Sequence, residues 1–261
     1  MLDYNTFAKE WQSKRNSKVH FAHDYLEKPA MQKLLPSLKD KKILVLGSGS
    51  GEECFDFLDK GASLVIGVDA SSELIKIAED QAEFRECDLN KIEFHCQKIE
   101  DLELKYANFD FVYSSLTMHY IEDWIKSLSK IKKLMKPNTK MLFSVHHPVK
   151  WGSETNRGKG ENVFTLGYRK SKLRDMDYSI YGDYLTPRPI ADLLFGKIEI
   201  IHYHKSISLM FQEIQKAEMK VNQIIEPLPT LESRKEKLDF YEVYSRIPLF
   251  IIFEVENYKD Y

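Results

Sequence analysis

The spacing of apolar and polar positions divides the chain into two regimes. Up to His147, short apolar runs alternate with stripes of helical period. Ile43-Leu44-Val45-Leu46 is an unbroken apolar run, as expected of a strand buried on both faces, and Gly47-Ser48-Gly49-Ser50-Gly51 follows as a tight turn. A helix is predicted from Glu52, with acidic residues in its first turn and a stop at Lys60-Gly61. Ser63 to Asp69 reads as the second strand, and Ser71-Ser72-Glu73 opens a helix running to about Arg85. Ile92 to Cys96 and Phe109 to Ser115 are the third and fourth strands. The next helix runs from Ile121 to Met135, with Ile125, Leu128, Ile131 and Leu134 on one face, and Pro137-Asn138 ends it. Met141 to Val145 is the fifth strand, leading into His146-His147-Pro148. Upstream, helices are predicted at 2–15 and from Pro29 to Leu38. Five strand–helix alternations predict an α/β chain with a parallel, doubly wound sheet.

The second regime begins at Val149. To about Lys205 no clean amphipathic helix is visible, only β-like runs at Val163 to Tyr168 and Lys197 to His204. A structureless loop of that length is unusual in a compact domain, so a β-rich insertion or lid is predicted. Regular order resumes with a helix from Ser206 to Met219 and strands at Val221 to Ile225 and Ile247 to Val255. The division is therefore 1–148 for the N-terminal helices and nucleotide-binding core, 149–205 for a lid over the acceptor site, and 206–261 for completion of the core.

Composition changes this picture little. A net charge of −2 gives no global attraction to nucleic acid or anionic membrane. No signal-like N-terminal segment or membrane-length apolar run is visible, so a cytoplasmic location is the expectation. Cys54, Cys87 and Cys96 have no metal-type spacing, and no metal site is predicted. Locally, 150–174 carries seven basic residues against Glu154 and Glu161.

The candidate chemistry gathers at strand ends. Asp69 closes the second strand beside the glycine turn, where a carboxylate accepts both hydroxyls of a ribose. A dinucleotide enzyme would place a third glycine where Glu52 stands, and an acidic helix start is a poor neighbour for a pyrophosphate. His119 and His146 follow strands four and five, at the edge where open α/β sheets bind ligands, and are the candidate catalytic residues. Of His146 and His147, one faces the cleft and one the fold, and His146 is assigned to the cleft. Trp151, Tyr184 and His204, in the insertion, are candidates for an acceptor pocket.

In sum, the motif series resembles the class I S-adenosylmethionine-dependent methyltransferases of the small-molecule, type 11-like group. It comprises Gly47 to Gly51, Val68-Asp69-Ala70-Ser71, Ile99-Glu100-Asp101-Leu102, Tyr113-Ser114-Ser115-Leu116 with His119-Tyr120, and Leu134 to Asn138. The resemblance implies a Rossmann-like sheet of seven strands, the last inserted antiparallel. It implies S-adenosyl-L-methionine as cofactor and S-adenosyl-L-homocysteine as product. Gly47, Ser48, Gly49, Gly51, Asp69, Ala70, Ile99, Glu100, Ser114 and Ser115 are the cofactor-binding positions it points to. Val45 stands where the family usually has an acid, which moves the methionine ammonium onto backbone carbonyls of Gly47 and 114–116. Lys98 replaces a common aspartate, so adenine recognition falls to the backbone near Ile99. The expected reaction is in-line methyl transfer to a small-molecule acceptor, by alignment with a histidine base. The alternatives are an RNA or protein acceptor held by the basic 150–174 segment, and a non-catalytic cofactor-binding protein.

Overall fold

The computed structural model describes residues 21–158, 161–170, 178–194 and 198–258; the helix predicted at 2–15 lies outside them. Seven strands form one mixed sheet in the order β12-β13-β5-β4-β1-β2-β3. They are β1 (Lys42–Leu46), β2 (Leu64–Asp69), β3 (Ile92–Cys96), β4 (Phe109–Ser114), β5 (Met135–His146), β12 (Lys220–Ile225) and β13 (Phe250–Glu256). β1 to β5 pair in parallel, and β13 lies antiparallel between β5 and β12, the reversed strand that the motif series implied.

The apolar runs read as they do because the sheet is covered on both sides. Leu44 and Leu46 point into one core with Ile66, Val68, Trp124, Leu128, Phe143 and Phe253. Their neighbours Ile43 and Val45 point into the other, with Phe55, Phe57, Phe111, Leu142 and Ile252. Successive side chains alternate faces, so a continuous apolar run feeds both layers. Val45 is thus a core residue, 2% exposed, and a carboxylate there would be buried among hydrocarbons.

Several boundaries differ from the predicted ones. In place of a helix from Pro29 to Leu38, a π-helical turn, His23–Glu27, runs into the helix Lys28–Lys33. Pro29 has no N–H to offer the carbonyl of Tyr25, and the N–H of Thr230 donates to that carbonyl instead at 2.8 Å. The helix after β4 starts at Trp124, capped by the Asp123 carboxylate, because Met118–Tyr120 forms a separate 3₁₀ turn. β5 begins at Met135, before Pro137, with Asn138 at φ 59° and a shift of register against β4. The helices Leu231–Glu236 and Leu238–Tyr244 were not foreseen: they are short, and Phe240 alone of the second is fully buried.

After β5 the chain makes a short helix, Pro148–Gly152, and then three hairpins. β6 (Glu154–Gly158) pairs with β7 (Glu161–Thr165), β8 (Gly167–Lys170) with β9 (Tyr178–Tyr181), and β10 (Arg188–Leu194) with β11 (Ile198–His204). The insertion is β-rich, as predicted. Along β11 the side chains of Ile200, His202 and His204 are buried, and Ile201 and Tyr203 between them are not. The period is two, and it turns two histidines into the protein.

Trp124 ties the sheet to the 3₁₀ turn. Its ring meets Phe143 and Phe253 edge-to-face at 5.5 and 6.4 Å, and its Nε1–H donates to the carbonyl of Met118 at 2.9 Å. Trp124→Phe keeps much of the packing but removes one of the two donors to that carbonyl, the Ile121 N–H at 3.1 Å remaining. A loss of about 0.5–1.5 kcal/mol is expected in urea unfolding.

Candidate active site

The glycine turn is held against β2 by its own backbone. The N–H groups of Gly47 and Ser48 donate to the carbonyl of Val68 at 2.8 and 3.0 Å. Asp69 completes the clamp: one carboxylate oxygen accepts from Gly49 N–H and the other from Ser71 N–H, both at 2.9 Å. Gly47 has φ +68°, and a Cβ built on it would stand 1.9 Å from Thr117 Oγ1. No side chain fits there. The turn therefore approaches the 115–117 loop as closely as backbone allows.

These residues open onto a cavity of about 940 Å³ along the carboxyl edge of the sheet. At one end Gly47, Gly49, Val68, Asp69, Ala70 and Leu74 form the wall, with Lys98, Ile99 and Glu100 across from them. Lys130 holds that last loop, its Nζ donating to the Glu100 carbonyl at 2.7 Å. Glu53 lines the cavity beside the turn, from the first turn of the helix Glu52–Asp59. At the other end lie His119, Tyr120, His146, Lys150, Ile201, Tyr203, Phe240, Tyr244 and Phe250.

Of the sequence-predicted positions, Gly47, Gly49, Asp69, Ala70, Ile99, Glu100 and Ser115 line this cavity together with His119 and His146. Ser48, Gly51 and Ser114 stand behind it. Ser48 is buried, a Cβ on Gly51 would press on Phe94 and Phe55, and Ser114 Oγ donates to the Leu46 carbonyl. His147 faces the fold: its Nδ1 accepts from Val149 N–H and its Nε2 lies 2.9 Å from Glu226. Trp151, Tyr184 and His204 are not in the lining. His204 Nε2 is 2.9 Å from the Tyr184 carbonyl, and Tyr184 Oη accepts from Ile207 N–H, so the pair fastens the insertion to the following helix, Ile207–Lys216. Trp151 stacks on His202 at 4.7 Å between ring centres.

Three contributors were not legible beforehand. Glu53 was read only as an acidic helix start. His202 lies on the buried side of β11, and nothing local in the sequence marks it. Glu27 is fully buried, and the hydroxyls of Ser115 and Ser144 both donate to its Oε1. Ser144 Oγ in turn accepts from Leu116 N–H, so Glu27 holds the loop that turns at Leu116, φ 49°.

The histidines at the far end are neutral imidazoles set among aromatic rings. Burial pushes His119 and His146 well below the usual histidine range, with Lys150 and the neighbouring imidazoles adding to the effect. His202 is pushed down to about 4, chiefly by burial. Their lone pairs are free of protons at neutral pH, and their charged forms are disfavoured.

The chain belongs to the class I S-adenosylmethionine-dependent methyltransferases, and its cofactor is S-adenosyl-L-methionine. Residues 37–171 match the family profile of a methyltransferase domain. An uncharacterized protein of Haemophilus influenzae is 27% identical over 97% of this chain and 95% of its own. A ubiquinone biosynthesis O-methyltransferase of Coxiella burnetii is 32% identical over 41% of this chain and 44% of its own. Among solved structures, an S-adenosylmethionine-dependent methyltransferase from Mesorhizobium loti superposes with a TM-score of 0.69 at 20% identity, covering 87% of this chain and 96% of that one.

The cavity fits that cofactor. Its wall holds the Asp69 carboxylate, oriented by two backbone N–H groups, beside apolar Val68, Leu74 and Ile99, a lining with the chemistry that a nucleoside requires. Two predictions test the frame. Gly47→Ala strains a left-handed residue and collides with Thr117; a stability loss of about 1–3 kcal/mol and cofactor binding weaker by roughly tenfold are expected by urea unfolding and calorimetry. Burial raises the Glu27 carboxyl above its ordinary value, against the lowering by His23 and the two serines. The folded state then binds a proton that the unfolded chain releases, so this stabilisation is complete in mild acid and lost as pH rises. Glu27→Gln is neutral and still accepts from both serines. It should raise the urea midpoint near neutrality and leave it unchanged below the ordinary carboxylate range.

Proposed function

We propose that this enzyme methylates a hydroxyl of a small, partly aromatic acceptor. The observation that carries the reading is one continuous cavity whose wall includes Asp69 as well as Phe240, Tyr244, Phe250, Tyr120 and Tyr203. At about 940 Å³ it lies near the top of the usual range for small-molecule sites, room for a cofactor and a second compact ligand. The C. burnetii relative is named as an O-methyltransferase, which agrees with a hydroxyl acceptor.

Bound in this cavity, the cofactor supplies a methyl group on a positively charged sulfur. Asp69 accepts the ribose hydroxyls, and backbone groups of 98–100 take the adenine. Glu53 is the counter-ion for the methionine ammonium, in place of the acid that Val45 lacks. Gly47 and Ser115 bound the passage between the two ends. Alignment of the acceptor oxygen with the methyl carbon is the main service of the protein, one that can supply several kcal/mol of the barrier. His119 and His146 meet the acceptor as neutral imidazoles. The segment 149–205 serves as a cap, since Lys150, Ile201 and Tyr203 come from it to the cavity wall.

The basic segment gives less support to RNA. Lys150 faces the cavity, Arg169 and Lys170 are exposed on β8, and Lys159, Lys172 and Arg174 lie outside the described residues. No described helix is long and apolar enough to cross a membrane.

Calorimetry with S-adenosylmethionine should give one site, weakened at least roughly tenfold by Asp69→Ala and less by Asp69→Asn, which keeps one acceptor oxygen. Transfer of labelled methyl to a panel of phenols, hydroxylated quinol analogues, amines and bulk RNA should label hydroxyl acceptors. Label confined to RNA would reject the small-molecule reading.

A further inference from the structure

The far end of the cavity holds three imidazoles from three distant parts of the chain. His119 sits in the 3₁₀ turn after β4, His146 ends β5, and His202 lies within β11 of the insertion. Their ring centres are 4.5, 4.9 and 5.4 Å apart, and one ligand nitrogen from each lies within 4.8 Å of the others. Among the described residues no other group of three histidine, cysteine or acidic side chains is gathered so closely.

Both nitrogens of His119 and the Nδ1 atoms of His146 and His202 are buried without a hydrogen-bond partner among the described residues. Buried polar atoms are ordinarily paired, and so many in touching rings need an explanation. The three cannot satisfy one another as they stand, since no bond between them is made.

We propose that His119, His146 and His202 bind a divalent transition-metal ion of the zinc class, with a fourth position reached from the acceptor end of the cavity. Neutral imidazole suits such ions, and three histidines with one position left open is a known ligand pattern for catalytic zinc. The ring planes are held in advance. Trp151 and Tyr120 stack on the two faces or edges of His202 at 4.7 and 5.1 Å, Tyr120 also meets His119 at 4.3 Å, and Phe250 meets His146 at 5.5 Å. A tetrahedral site with bonds of about 2.0–2.1 Å needs ligand atoms roughly 3.3 Å apart. The present spacing of up to 4.8 Å is wider than this, so metal binding would draw the three rings inward. His119 and His146 line the cavity and His202 stands behind them, so an ion among them is exposed on the acceptor side.

Lys150, whose ammonium lies 4.5 Å from the Trp151 ring centre, adds a second positive charge nearby. That charge opposes a bare cation and favours an anion in the fourth position. Resting on the hydroxyl acceptor argued above, the anion is the acceptor oxygen. Bound to the ion, the O–H loses its proton to water. The oxygen then forms the O–C bond as the C–S bond breaks, its electron pair remaining on sulfur.

The test uses the full chain, stripped with chelator and titrated with Zn²⁺ alone, then with Co²⁺ for its visible spectrum. One equivalent of zinc and an intense tetrahedral cobalt spectrum are expected. His202→Ala and the bulkier His202→Gln should each weaken zinc at least about a hundredfold, since loss of a ligand exceeds the cost of disturbing its supports. His95→Ala, a histidine of β3 outside the cluster, should bind as wild type. Circular dichroism and S-adenosylmethionine titration establish that each variant is folded. Zinc below a tenth of an equivalent, or equal affinity in folded His202 variants, would overturn the site. A wild-type chain that binds S-adenosylmethionine but no zinc sinks the metal alone; a wild-type chain that binds zinc but methylates no hydroxyl sinks the acceptor reading alone.

Discussion

The Asp69 carboxylate is the contact on which the site depends. It binds one N–H of the glycine turn and one N–H at the start of the helix Ser72–Phe84, so it joins β1, β2 and that helix at one point. Because both bonds run to backbone, the geometry does not depend on the rotamer of any partner. A carboxylate oxygen carries more than one lone pair, so each can hold the fold and still receive a ligand hydroxyl. The same residue ties the fold together and faces the cavity.

Around that fixed end the rest of the cavity is assembled from remote pieces. Glu27, from the π turn near the start of the described chain, holds the 115–116 loop through Ser115 and Ser144. Phe21 meets Phe240 edge-to-face at 4.9 Å, bringing the helix Leu238–Tyr244 over the same opening. The insertion supplies Lys150, Ile201 and Tyr203. One end of the cavity is thus rigid sheet edge and backbone turn, and the other is a wall of aromatic side chains from loops and late helices. Such a division suits a common cofactor and a particular acceptor: the first needs fixed polar groups, the second a shape.

The electrostatics follow the same division. Asp69, Glu53 and Glu100 put acid at one end of the cavity, whereas the far end has neutral imidazoles and Lys150. Neutrality there is a product of burial, with Trp151, Tyr120 and Phe250 packed on the rings. An aromatic setting of this kind lowers the local dielectric and makes every remaining polar contact stronger.

The sheet and the identity of the cofactor were legible in the sequence alone. Buried parallel strands announce themselves as apolar runs, and a turn at Gly47 to Gly51 with Asp69 one strand later is a local, ordered pattern. Boundaries were legible where a side chain caps or breaks the backbone, as at Ser71, and illegible where a tertiary bond substitutes, as when Thr230 takes the carbonyl that Pro29 leaves free. Glu53 was hidden because helix starts are acidic for reasons of their own. Trp151, Tyr184 and His204 have the right chemistry for an acceptor pocket, but the direction of a side chain on an irregular insertion is set by what packs against it. Only the tertiary structure decided that Tyr184 and His204 fasten the insertion while Ile201 and Tyr203 reach the cavity. It alone brought His202 to His119 and His146, since contacts between residues so far apart in the chain leave no periodicity to read.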